Sequence, residues 1–319
     1  MGAAAADPGT DSATHHHNRQ EIQARGRLAV WWRAVRPFTL TASFTPVFVG
    51  FAVAFHDGGR RFDIFLVTLL AAVAIQAATN LINEYYDGIR GVDDTASVGP
   101  SGVIVYGLLS PRAVLAGGIA LLALASLLGV WLVAVSGWPI LVLGILSILA
   151  AYAYTGGPLP LGYHGLGDLT VFVFMGPVIV VGAYYVQIQA VSSAAAWASL
   201  PIAALVTAIL VVNNLRDIED DRRKGKRTLA VFIGARGTRL EYVLLVAGAY
   251  AAVAAGAAVR ALPPATLTAF LTLPLAVRVC RGIYADVGNG PLTHDLRETA
   301  NLHQWVGFLL AAGFLLSSG

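Results

Sequence analysis

Long apolar runs broken by short polar punctuation set the pattern of this chain. Nine such runs, at 36–55, 63–86, 113–135, 138–155, 168–189, 195–214, 240–259, 263–279 and 301–317, read as membrane-spanning helices. Several reach the roughly 18 residues that crossing a bilayer demands. The breaks carry Gly, Pro and charge, as in His56-Asp-Gly-Gly-Arg-Arg, Ser136-Gly-Trp, Gly156-Gly-Pro-Leu-Pro and Leu262-Pro-Pro. Very short turns between the third and fourth runs, and between the seventh and eighth, predict antiparallel hairpins. The expected fold is all-α: a polytopic membrane protein with nine transmembrane helices in a single bundle over residues 28–319. Residues 1–27, rich in Ala, Gly, Asp, His and Arg without periodicity, are expected to form a disordered cytosolic tail, with His15, His16 and His17 as bystanders. The first apolar run lacks a small-residue cleavage pattern, so no cleaved leader is expected.

Composition agrees with that pattern and excludes a water-soluble globule. The 319 residues are 57% hydrophobic and 12% charged, with mean hydropathy +0.70; soluble domains carry about 25% charged residues. A single cysteine, Cys280, rules out an internal disulfide. The basic balance reads as topology rather than nucleic-acid binding. With the N-terminus placed inside, 18 of the 21 Lys and Arg residues fall in inner segments and only Arg60, Arg61 and Arg260 outside, the asymmetry expected of cytoplasmic loops. A plasma-membrane protein with a cytoplasmic N-terminus is the expectation.

The chemistry lies at two helix ends. Asn80, Asn83, Glu84 and Asp87 stand at i, i+3, i+4 and i+7, with Asp93 and Asp94 beyond them, and share one helical face. Asn213, Asp217, Asp220 and Asp221 repeat the spacing. The clusters share the pattern Asn-x-x-x-Asp four helices apart, which puts both on the inner face. Carboxylates near hydrocarbon demand a counter-charge, and at a helix C-terminus they oppose the macrodipole, so capping does not explain them. Facing stripes of this kind supply carboxylate and amide oxygens to Mg²⁺, which takes its remaining ligands from water and substrate phosphates. Next to the second cluster runs Asp221-Arg-Arg-Lys-Gly-Lys226-Arg227-Thr228, a topogenic charge run in which Lys226 and Arg227 are the expected diphosphate contacts. Arg216 is as well placed to hold Asp217 as to touch substrate. Gly88-Ile-Arg90-Gly91 gives flexible backbone beside the first cluster and, with Gly99-Pro-Ser-Gly102, the makings of a lid. The loop from Tyr152 through Tyr154 and Tyr163 to Asp168 is crowded with Gly and Tyr, and reads as a cover whose rings stack on an aromatic substrate or shield a cation.

These motifs resemble the UbiA superfamily of intramembrane aromatic prenyltransferases over nearly the whole chain from about residue 31. Asn80-Leu-Ile-Asn-Glu-Tyr-Tyr-Asp, Tyr154-Thr-Gly-Gly-Pro and Asn213-Asn-Leu-Arg-Asp…Gly-Lys-Arg-Thr look most like the branch that prenylates 1,4-dihydroxy-2-naphthoate. The resemblance implies Mg²⁺ held by Asp87, Asp93, Asp217 and Asp221, and catalysis by Asn83, Asp87, Asn213 and Asp217. It implies substrate contacts from Asn80, Arg90, Tyr154, Arg216, Lys226 and Arg227. The implied reaction moves a polyprenyl group from its diphosphate to the naphthoate with loss of CO₂; the partners are those two substrates and membrane lipid, with no nucleic acid. Glu84 stands where Asp is commoner and Leu159 where a basic residue is common. Prenylation of 4-hydroxybenzoate, homogentisate or a chlorophyllide is the alternative of the same class. A CDP-alcohol-type phosphotransferase expects one continuous Asp motif, and a cation transporter expects carboxylates at mid-membrane.

Overall fold

A computed structural model describes residues 26–93, 101–285 and 293–318. Among the described residues there is no β-strand, only one isolated bridge between His164 and Arg227. That follows from the solvent the sequence is built for: in hydrocarbon every backbone N–H and C=O must be paired within its own segment, which a helix does and a strand edge does not.

A short helix, α1 (Arg27–Val35), leads into α2 (Thr41–His56) through Arg36 and a 3₁₀ turn at Pro37–Leu40. The elements that follow are α3 (Phe62–Ile89), α4 (Pro111–Ser136) and α5 (Trp138–Ala153). Next come α6 (Gly167–Ile188), α7 (Ser193–Arg223), α8 (Leu229–Ala258), α9 (Pro264–Ala285) and α10 (Thr293–Leu316). Local sequence sets the boundaries. Ser110, Ser192 and Thr228 each cap a helix with a side-chain oxygen that accepts a backbone N–H. Gly137, at φ 87°, makes the one-residue turn of the α4–α5 hairpin. Pro177 interrupts the backbone ladder of α6, where Phe174–Val178 relaxes into a π-helical turn.

Among the described residues eight helices are long and apolar enough to cross a membrane: Pro37–His56, α3, α4, α6, α7, α8, α9 and His294–Leu316. The ninth apolar run, α5, is a helix of only 16 residues, roughly 24 Å long against a hydrocarbon core of about 30 Å. The expected count of nine therefore stands at eight full-length spans plus this shorter helix. The expected hairpins form, α4 with α5 and α8 with α9.

α7 is the axis of the bundle. Its apolar window is 72% buried, whereas that of α4 is 17% buried. Small residues let its neighbours close on it: a Cβ added at Gly176 of α6 would collide with Ala203 of α7. The main core runs along α2, α6, α7, α8, α9 and α10 through residues such as Val53, Leu205, Val212, Tyr242 and Leu310. A smaller cluster of Val30, Ala34, Leu81, Val103 and Val114 fastens α1 and α4 to α3.

Replacing Gly176 with Ala should lower stability by about 1–3 kcal/mol through overpacking, read as the unfolding midpoint in detergent. Gly248→Ala on α8, where an added Cβ meets nothing within 4 Å, should be silent; equal effects from both would remove the close α6–α7 approach from the account.

Candidate functional site

The C-terminal turns of α3 and α7 meet at one end of the bundle. From α3, Asn80, Asn83 and Asp87 line a shared cavity. Asn80 also holds the N-terminal segment, because its Nδ2 donates to Val35 O (2.7 Å) and Thr39 Oγ1 (2.8 Å). Asn83 Oδ1 accepts from Thr155 Oγ1 at 2.6 Å. Glu84 turns away. It is 1% exposed, pairs with Arg36 at 3.1 Å, and accepts from Ser101 Oγ and the Ile104 N–H. It is absent from the cavity wall. Of the four residues expected on one face, Glu84 is the departure: the i+4 position points at α1 rather than across the bundle.

From α7, Asn213, Asn214, Arg216, Asp217, Asp220 and Asp221 line the same cavity. Arg216 grips Asp217 with both arms of its guanidinium, Nε to Oδ1 at 2.6 Å and Nη2 to Oδ2 at 2.7 Å, and its Nη2 also reaches Asn213 Oδ1 at 2.9 Å. Each carboxylate oxygen keeps a second lone pair for another partner. Asp221 is buried; its Oδ1 stands 3.2 Å from Lys226 Nζ. Its Oδ2 is buried with no hydrogen-bond partner, a costly state that calls for a positive group at that oxygen.

The loop between α5 and α6 covers both clusters. Tyr163 donates its hydroxyl to Asp87 Oδ1 and places its ring 5.6 Å from Lys226 Nζ. The Arg227 N–H donates to Tyr163 O at 3.1 Å. Arg90 anchors the loop by donating to Thr155 O (2.7 Å) and Gly157 O (3.0 Å) while stacking on Tyr86 and Tyr163. His164 Nδ1 lies 2.8 Å from Pro160 O, a contact that closes the loop on itself. The Tyr154 ring packs against Gly162, and its hydroxyl lies 3.3 Å from the point where a Gly167 Cβ would sit; larger residues at either glycine would displace it.

Charge at this end is concentrated and poorly solvated. Burial, then the neighbouring Asp87 carboxylate, pushes Asp93 up to about 7, against the opposing pull of Arg36. Burial favours a neutral Lys226, yet Asp221, Asp87 and Asp217 outweigh it and hold the ammonium charged above its ordinary range. The Tyr154 and Tyr163 hydroxyls are driven upward by burial and then by surrounding carboxylates, so both remain donors. Among the described residues no three His, Cys, Asp or Glu side chains converge tightly enough to hold an ion by themselves. Mg²⁺ does not require three, since it binds through one or two carboxylates plus water and phosphate. The unpartnered Asp221 oxygen beside Asp87, Asp93 and Asp217 fits such an ion.

The cavity encloses about 540 Å³, within the range of pockets that enclose a small organic ligand. Away from the acidic end its wall is apolar, through Val47, Ile75, Leu132, Ile148, Phe174, Met175 and Val178. A site with anion-seeking groups at one end and a greasy channel behind them suits a ligand with a charged head and a hydrocarbon tail.

Residues 43–287 match the UbiA prenyltransferase family. The chain belongs to that family. It is 36% identical to 1,4-dihydroxy-2-naphthoate octaprenyltransferase of Bacillus subtilis, covering 90% of this chain and 93% of the relative. It is 37% identical to the Mycobacterium tuberculosis protein of the same description, over 90% and 97%. Its fold resembles a UbiA homologue from Archaeoglobus fulgidus solved bound to GPP and Mg²⁺, with TM-score 0.64, 17% identity and coverage of 89% and 99%. UbiA membership and the apolar helices make this an integral membrane protein.

Of the site residues expected in this UbiA chain, Asn80, Asn83, Asp87, Asp93, Tyr154, Asn213, Arg216, Asp217, Asp221 and Lys226 all line the one cavity. Arg90 and Arg227 do not. The Arg90 guanidinium is spent on loop carbonyls, and Arg227 is exposed with only its backbone tied to Tyr163. Asp94 and, of the Gly99–Gly102 lid segment, Gly99 and Pro100 lie outside the described residues. Two contributors were not singled out from sequence. Arg36 lines the cavity with a buried, unpartnered Nε, but reads in sequence as one more topogenic cation. Thr155, the Asn83 partner, lies within the Tyr154-Thr-Gly-Gly-Pro motif but was given no role of its own.

Glu84→Ala should cost about 3–5 kcal/mol, the scale of stranding one partner of a buried ion pair, measured by chemical unfolding in detergent. A cost under about 1 kcal/mol would show that Glu84 is not what anchors α1.

Proposed function

We propose that this protein transfers a polyprenyl group from a polyprenyl diphosphate to 1,4-dihydroxy-2-naphthoate, with loss of CO₂. The observation that carries the reading is the cavity that joins Asp87, Asp217, Asp221 and Lys226 to a long apolar wall. The descriptions of the Bacillus and Mycobacterium relatives supply the acceptor; they do not favour 4-hydroxybenzoate, homogentisate or a chlorophyllide.

In this reading Asp87, Asp93, Asp217 and Asp221 would hold Mg²⁺, and the Asp221 oxygen without a hydrogen-bond partner is open to it. Mg²⁺, when bound, neutralises charge on the diphosphate and so improves it as a leaving group. Arg216 keeps Asp217 and Asn213 in register, and Tyr163 does the same for Asp87. Lys226 adds positive charge beside the departing diphosphate. Asn83 and Asn213 offer amide hydrogen bonds at the same mouth. The allylic C–O bond breaks and its electron pair leaves with the diphosphate. The carboxyl-bearing ring carbon then bonds to the allylic carbon, and the carboxylate departs as CO₂, returning its electron pair to the ring. The product is the quinol form of demethylmenaquinone, and no nucleophilic side chain is required. Tyr154, which lines the cavity, orients the naphthoate. Arg90 and Arg227 act on the covering loop rather than on substrate.

The acidic mouth and the N-terminus lie on the cytoplasmic side of the plasma membrane, a placement supported by the 18 of 21 Lys and Arg residues assigned to that side.

Membranes containing the protein should prenylate 1,4-dihydroxy-2-naphthoate in a reaction that EDTA stops; activity on another acceptor alone would refute the substrate. Asp87→Asn or Asp217→Asn should lower kcat by about 100-fold or more, the scale of removing one preorganised charge-stabilising group, with the protein still folded. Lys226→Ala should raise KM for the diphosphate by about tenfold, the scale of one charged hydrogen bond. An unchanged KM would take Lys226 out of the clamp.

A further inference from the structure

One buried acid takes no part in the reading above. Asp168, in the first turn of α6, is 6% exposed. Its Oδ2 is buried without a hydrogen-bond partner, and the residue does not line the cavity. The α6 dipole favours a carboxylate at that end of the helix. It still leaves Oδ2 unpaired, which is costly.

Tyr154 is the group through which Asp168 meets the cavity. Glycines on two sides hold its ring. The Gly162 N–H donates to Tyr154 O at 2.8 Å, and a Cβ at Gly162 would stand 3.3 Å from the ring. Gly167, the residue before Asp168, brings the start of α6 to the hydroxyl, 3.3 Å from where its own Cβ would sit. Among the described residues that hydroxyl makes no hydrogen bond, and Tyr154 lines the cavity. Burial raises it, and of the carboxylates acting on it Asp168 is the strongest, ahead of Asp87 and Asp221. The other hydroxyls of this wall are committed: Tyr163 donates to Asp87, Thr155 to Asn83 and Thr170 to Leu166 O. The Asp168 charge also reaches Glu241 of α8.

We propose that Asp168, acting through Tyr154, stores the proton that the naphthoate hydroxyl gives up while the new carbon–carbon bond forms. The proposal rests on the prenyl-transfer reading above and adds the groups that handle the acceptor's proton. As the carboxyl-bearing carbon bonds to the allylic carbon, the adjacent ring C–OH becomes C=O. Tyr154 takes the released proton while passing its own to Asp168. The ring is then a β-keto carboxylate. Its bond to the carboxylate breaks, CO₂ leaves, and the electron pair forms an enolate. Asp168 returns the proton through Tyr154, which restores the hydroxyl and leaves both side chains as they began. A bound acceptor closes the Tyr154–Asp168 contact, as catalytic hydrogen bonds tighten in the substrate complex.

The test uses the full-length protein in lipid nanodiscs with 1,4-dihydroxy-2-naphthoate and octaprenyl diphosphate, comparing Asp168→Asn, Tyr154→Phe and the double variant with wild type. Each single variant should lower kcat by about 100-fold, the scale of one positioned acid–base group. KM for the diphosphate should stay within about twofold of wild type, since its binding is untouched, and that value reports a folded site. Tyr154→Phe removes a single oxygen and tests the path should Asp168→Asn misfold. The double variant should lose no more than either single one, because both interrupt one path. Raising the pH should return each variant toward the wild-type kcat at the same pH, because the naphthoate hydroxyl then ionises unaided. A folded single variant with kcat near wild type, losses that multiply in the double variant, or a loss that pH does not relieve overturns the store while leaving the reaction standing. A wild-type protein that does not prenylate the naphthoate overturns the reaction, and the store with it.

Discussion

Negative charge gathered where apolar helices end is the constraint from which the rest of this structure follows. Asp87, Asp93, Asp217 and Asp221 line one buried mouth, and burial makes each charge expensive unless something positive meets it. The protein supplies part of that itself. Arg216 holds Asp217 bidentately, Tyr163 donates to Asp87, and Lys226 sits 3.2 Å from Asp221. It does not supply all of it: one Asp221 oxygen has no partner, and Asp93 is pushed up to about 7 by burial and by Asp87. In the proposed reading, that residual demand is what a divalent cation and, through it, a diphosphate would meet.

The scaffold has to keep two such helix ends together without sealing the site. α7 does this as the buried axis, and close approaches such as Gly176 against Ala203 lock α6 onto it. α3 packs along α4 through residues such as Leu81 against Val114 and is tied by polar contacts to what precedes it, Asn80 to Val35 O and Glu84 to Arg36. The two acidic clusters thus have different supports. The α7 cluster is braced from within its own helix, whereas the α3 cluster is braced by α1 and by the covering loop. The thinly packed α4–α5 hairpin encloses the apolar part of the cavity and carries little of the core.

Much of this was legible in the sequence because hydropathy and helical spacing are local. The apolar runs located the helices, and the repeated Asn-x-x-x-Asp spacing located the residues that share the cavity. What was missed shares a physical cause. Hydropathy marks only the part of a helix that lies in hydrocarbon. α7 was expected to stop near 214 but continues to Arg223, where the pairs Arg222–Glu219 and Arg223–Asp220 sustain it in water. α8 was expected from 240 but starts at Leu229 behind its Thr228 cap. The second acidic cluster therefore lies in the last turns of a helix that continues past the apolar run. The roles of Glu84, Arg36 and Arg90 depend on partners 48 and 65 residues away, and no spacing rule reads such pairings from one chain.

The most direct test of the central claim is to measure Mn²⁺ binding by electron paramagnetic resonance, in place of Mg²⁺, with and without a non-hydrolysable prenyl diphosphate. Wild type should bind Mn²⁺ tightly only with the diphosphate present. Asp87→Asn on α3 and Asp221→Asn on α7 should each weaken that binding, because the two helices share the ion. Binding that ignores the diphosphate, or that survives loss of the carboxylate from either helix, would contradict the claim that both acidic clusters grip one diphosphate-bound metal.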